Sequence, residues 1–202
     1  GLSSMVDYIN DVKGEIIKYF KDKSLLIINK GKISTINENF EINSNIIEYE
    51  INASNLDFKD KVYLKDNINN LIIRSDNINY NLNNRKIISQ SQSEIFDKFD
   101  NTYKVDGFEY SIQDKIIKLN NLVAQDKNEN SFLVDLSYLD LNKKELVAKD
   151  ISMNFKLIET SENEPRLKGR SLISNEKNTI VKKGTFTFCK KRDKCPPWEM
   201  SA

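Results

Sequence analysis

One phrase recurs along this chain. "NIIEYEI" alternates apolar and polar residues, with Ile47, Tyr49 and Ile51 on one side and Glu48 and Glu50 on the other. It returns in "NINYNL" as Ile78, Tyr80 and Leu82, in "GFEYSI" as Phe108, Tyr110 and Ile112, and in "VDLSY" as Val134, Leu136 and Tyr138. With Phe20, Tyr49, Tyr80, Tyr110, Tyr138 and Leu172 as anchors, the separations are 29, 31, 30, 28 and 34 residues. A near-constant period of this length means that one small unit is stacked on itself many times.

Each anchor is followed by a polar turn, "NASN", "LNNR", "IQDK", "LNKKE" or "SNEKN", and then by a second alternating stretch. Leu56, Phe58, Asp60 and Val62 follow Tyr49, and Ile117, Leu119, Asn121 and Val123 follow Tyr110 at the same offsets. The Tyr80 unit is the least regular, because Ser89, Ser91 and Ser93 separate Ile87 from Ile95. Half-polar strands suit antiparallel pairs with one dry face and one wet face. The expected fold is therefore all-β: an elongated, twisted antiparallel β-roll, a half-open jellyroll of about 11–12 strands built from hairpin repeats. Residues 1–14 form a lead-in, either a first strand or a short helix, since Met5, Tyr8, Ile9, Val12, Ile16 and Tyr19 also match helical spacing. The roll spans 15–188, and a Cys/Pro/Trp tail spans 189–202.

Composition narrows the chemistry. There is no histidine, which removes Ser-His and Cys-His pairs and histidine metal ligands. Lys and Arg number 31 against 30 Asp and Glu, so no basic excess argues for nucleic acid. No apolar run approaches the length of a membrane-spanning helix. Enzymatic activity is not expected, nor a cofactor. A glycan-active carboxylate pair such as Asp60 and Asp150 is the enzymatic alternative, and a purely structural repeat protein is another.

The tail reads "CKKRDKCPPWEMSA". Cys189 and Cys195 flank five residues, short enough for a local disulfide, and pairing elsewhere or free thiols remain open readings. Two cysteines without histidine do not make a zinc site. Pro196 and Pro197 hold the backbone extended, and Trp198 suits either a rim or a core position.

The repeat resembles the OstA-type repeat of lipopolysaccharide transport proteins, and the tail resembles the end of the periplasmic N-terminal domain of the LptD family of outer-membrane lipopolysaccharide-assembly proteins. That resemblance implies a periplasmic module, attached to the outer membrane through a C-terminal β-barrel that this chain does not include. Its groove would shelter lipid A acyl chains and pass them on to that barrel. It also implies an LptA-like bridge protein as a partner through strand-edge pairing, and a lipoprotein plug within the barrel. The cysteines would then have barrel cysteines as alternative partners. A free-standing bridge resembling LptA or LptC is the alternative, although such relatives lack the tail. The expected groove lining is Ile47, Tyr49, Phe58, Val62, Ile78, Tyr80, Phe108, Tyr110, Leu119, Leu136 and Tyr138, the alternate positions of the repeat.

Overall fold

The computed structural model describes residues 9–98, 101–125, 130–155, 164–175, 177–189 and 199–201. Among them are β1 (Ile9–Lys13), β2 (Ile16–Phe20), β3 (Leu25–Thr35), β4 (Phe40–Glu50), β5 (Asn55–Asp66), β6 (Leu71–Asn81), β7 (Lys86–Ser89) and β8 (Ser93–Phe96). Then come β9 (Thr102–Val105), β10 (Gly107–Ser111), β11 (Ile116–Gln125), β12 (Ser131–Asp140), β13 (Glu145–Asn154), β14 (Glu164–Ser174), β15 (Thr179–Cys189) and β16 (Glu199–Ser201). The protein is an all-β roll, a single antiparallel sheet whose strands lie side by side in chain order.

The six expected units occupy twelve positions across this sheet, and the short β16 adds a thirteenth. Among the described residues the strand count reaches sixteen, because three positions are each filled by two short strands end to end. β2 and β1 both pair with β3, β7 and β8 both pair with β6, and β10 and β9 both pair with β11. The described part of the lead-in is extended: Ile9 to Lys13 hydrogen-bonds along β3, which overrides the helical spacing. Residues 1–8 and most of the Cys/Pro/Trp tail, Cys195 included, lie outside the described residues, and so does the Cys189–Cys195 pairing.

The repeat is written into the backbone twice. Turns 51–54, 82–85, 112–115 and 141–144 each begin on an apolar residue and end in the left-handed region, at Ser54 (φ 51°), Arg85 (φ 52°), Lys115 (φ 55°) and Lys144 (φ 53°). The carbonyls of Ser54, Arg85 and Lys115 accept the first N–H of the next turn, from Leu82, Ile112 and Leu141, at 2.9–3.1 Å. These turns therefore stack into one rim of the roll.

A second left-handed series falls in mid-strand: Lys30, Asp60, Lys61, Asn121, Asp150 and Lys183, with φ of 46–60°. Each lies in a stretch of consecutive polar residues, where a bulge lets the strand bend and change phase. Ile28 and Gly31, Leu119 and Leu122, and Ala148 and Ile151 are each three residues apart, and all six are buried on the inside. Intervening strands change phase at the same level, Ser44 to Ile47 on β4 and Ser75 to Ile78 on β6. Asn and Asp tolerate this conformation, and Lys30 is followed by a glycine whose added Cβ would sit 2.5 Å from Ile47 Cδ1. The sheet folds along this line of bulges, so its two half-widths face one another across one apolar core. At the irregular Tyr80 unit, Ser75, Ser89 and Ser93 are buried at the fold and bond to one another, with Ser93 Oγ 2.9 Å from Ser75 Oγ. Buried hydroxyls that satisfy each other avoid the desolvation cost of an unmade hydrogen bond.

Candidate functional site

Because the strands are in register, interior side chains form rows across the sheet. One row runs Tyr49, Leu56, Tyr80, Ile87, Tyr110, Ile117, Leu139, Leu146 and Ser174. A parallel row runs Phe108, Leu119, Ser137, Ala148 and Leu172. The alternating tyrosines of the second, third and fourth repeats thus give way to Leu139 and then Ser174, while Phe108 and Leu119 give way to Ser137 and Ala148. The wall is continuous, but its side chains shrink toward the C-terminal end.

That shrinkage decides where the roll is shut. In the first half, turns from the opposite edges of the folded sheet meet and lock. Glu38, its side chain fully buried, accepts a 2.7 Å bond from Arg85. Tyr110 donates a 2.9 Å bond to Asp66 and packs its ring 6.0 Å from that of Phe40. Burial, then the Asp66 charge and hydrogen bond, push the Tyr110 hydroxyl well above the ordinary tyrosine range.

Beyond Tyr110 the edges part. A cavity of about 210 Å³ lies between the half-sheets, walled by Leu122, Ala124, Phe132, Val134, Ile151, Met153 and Leu172. It shares Asn101, Tyr103, Leu146 and Ser174 with a wider mouth of about 420 Å³, rimmed by polar residues including Asn69, Asp97, Asp140 and Asn175. The larger volume falls within the usual span of small-ligand sites, about 300–1,000 Å³. Tyr103 marks the boundary: its hydroxyl donates to Asp97 at 2.9 Å, and burial followed by the Asp97 charge pushes it upward. Asp140, at the rim, is held below the usual carboxylate range chiefly by the Lys143 backbone N–H. An apolar well under a polar mouth fits an amphiphile, with its tails inside and its headgroup at the rim.

Of the expected groove residues, Ile47, Tyr49, Phe58, Val62, Ile78, Tyr80, Phe108, Tyr110 and Leu119 do share one continuous interior, each at most 2% exposed. They are packed core in the closed half, and none lines the cavity. Leu136 and Tyr138 are not on that face: Leu136 is half-buried and Tyr138 is 42% exposed. The phase change between Val134 and Ser137 reverses the sides, so the structural counterpart of Tyr80 and Tyr110 is Leu139, one residue along. The same reversal buries Leu122 and Ala124 and exposes Val123. Asp60 and Asp150 both occupy left-handed bulge positions. No group of three metal-ligating acidic or sulfur side chains occurs among the described residues.

No protein-family model and no curated protein matches the chain. Among solved structures it is similar to LptH, the LptA-homologous periplasmic component of the lipopolysaccharide transport device of Pseudomonas aeruginosa. That likeness covers 58% of this chain and 85% of the other, with 12% identity and a TM-score of 0.48.

Proposed function

We propose that this chain is a periplasmic lipopolysaccharide-binding transport module that shelters lipid A acyl chains in the C-terminal part of the roll and hands them on. The observation that carries the reading is the replacement of the interior tyrosines by Leu139 and Ser174, which leaves an apolar well open at the seam. Leaving a twelve-carbon chain in water costs on the order of 10 kcal/mol at about 0.8 kcal/mol per methylene, so a carrier must cover it throughout transfer. The module acts by burial alone, with no catalytic step. The Cys-Pro-Pro-Trp tail supports the finer reading, an LptD-type domain that continues into an outer-membrane barrel with its lipoprotein plug.

The N-terminal edge supports an LptA-like bridge as the upstream partner. Among the described residues β2 pairs with β3 alone, and its Ile16, Ile17, Tyr19 and Phe20 are all exposed, the features of a strand that accepts another by β-augmentation. A second reading, a free-standing bridge resembling LptA or LptC, is favoured by the other end. There β16 covers only Thr185–Thr187 of β15 and, among the described residues, leaves Thr179–Gly184 without an outer neighbour. Co-purification of a barrel-containing full-length protein separates the two.

A photoreactive amino acid at Met153 tests the shared core of both readings. It should label lipopolysaccharide, whereas the same probe at Phe58, in the closed half, should not. Labelling at Phe58 alone, or at neither site, overturns the proposal.

A further inference from the structure

One outward-facing row crosses almost the whole sheet and changes character partway. In the first half it runs Ile27, Glu48, Asp57, Asn79, Ile88 and Glu109, apolar only at two separated places. Past Lys118 it carries Tyr138, Val147, Ile173 and Ile180, in register on four successive strands. Tyr138, Val147 and Ile180 are 42%, 39% and 55% exposed. The adjacent outward row carries Leu136, Lys149, Ser171 and Lys182. Charge is segregated in the same direction: residues 141–202 hold fourteen Lys and Arg against eight Asp and Glu, and residues 1–140 hold seventeen against twenty-two.

We infer that the outer face of β12–β15 rests on an anionic lipid surface. Tyrosine and aliphatic side chains beside lysines form the composition of a membrane interface, where the apolar row enters the headgroup boundary and the ammonium groups meet lipid phosphates. A second copy is the poorer occupant, because the face against itself would bring Lys149 and Lys182 near like charges. The inner side of these same strands walls the cavity, so docking sets the open well beside the bilayer. Apolar and basic elements are each weak alone, and their sum is reversible and salt-sensitive.

Flotation of the full chain with vesicles tests this. Binding is expected to mixed phosphatidylglycerol and phosphatidylcholine vesicles at low salt, to fall several-fold at high salt, and to be absent on phosphatidylcholine alone. Two double variants, Lys149→Glu with Lys182→Glu and Val147→Ser with Ile180→Ser, should each lose most of the binding while keeping the wild-type circular-dichroism melt. Absence of vesicle binding, equal binding by wild type and both variants, or self-association abolished by Ile180→Ser without vesicle binding would each overturn the inference. Acyl-chain uptake separates it from the transport reading: both outer-face variants should retain uptake, whereas Ser174→Leu, on the inner face, should lose uptake and keep vesicle binding.

Discussion

Tyr110 and Asp66, forty-four residues apart, are joined by a 2.9 Å hydrogen bond that ties the two edges of the folded sheet together. Asn69 completes the knot, donating 2.7 Å to Asp66 and 3.0 Å to the Tyr110 hydroxyl. The bond closes the last part of the seam before the cavity begins. Tyr110→Phe keeps the ring and loses the bond to a carboxylate, which is worth about 1.5–3 kcal/mol. Urea denaturation should show a loss of that size with an unchanged m-value.

The same residue sets an alkaline limit. The folded Tyr110 hydroxyl titrates above its unfolded value, so its contribution is fully present below about pH 10, where an unfolded tyrosine ionises. As pH rises beyond that point the unfolded chain releases a proton that the native state retains, and stability falls. Tyr103, raised by burial and by Asp97, adds to the decline. Melts from pH 8 to about pH 12 should steepen downward above pH 10, and the slope should shrink in Tyr110→Phe and again in the double variant with Tyr103→Phe.

Farther along the closed seam, Arg85 compensates the buried carboxylate of Glu38. Arg85→Met would leave that charge without its cation and should destabilise by about 3–5 kcal/mol. Adding Glu38→Leu should recover most of the loss, because two apolar groups need no compensation. A double-mutant cycle in urea measures the coupling, and additive single effects would contradict it.

Filling the well should separate stability from binding. Ser174→Leu puts an aliphatic side chain where earlier repeats carry tyrosine, and such cavity-filling changes commonly add about 0.5–2 kcal/mol. The melting temperature should hold or rise, and uptake of a fluorescent fatty acid should drop.

Neighbouring substitutions check the facing of β12. Tyr138→Asp, on the exposed outer face, should change stability by within about 0.5 kcal/mol. Leu139→Asp places a carboxylate against the interior wall and should cost several times more. Equal effects would mean that the strand has the opposite phase.

The period, the alternation and the turns were legible in the sequence because each is a local rule: strand pleat has period two, and polar turns interrupt it every thirty residues or so. They predict the all-β roll, its six hairpin units and the buried faces of Tyr49, Tyr80 and Tyr110. The phase changes were partly written there too, in polar doublets such as Asn120-Asn121, Lys149-Asp150 and Lys182-Lys183 at equivalent places in the repeat. A doublet does not declare which way the strand leaves it, and Tyr138, the more conspicuous side chain, drew the assignment one residue from Leu139. Only the tertiary structure decided where the rolled sheet locks shut, because Glu38 with Arg85 and Asp66 with Tyr110 meet through space from different repeats. It also decided where the roll stays open, since a cavity is the difference between facing walls, and Leu139 and Ser174, which line its mouth, read individually as ordinary strand residues.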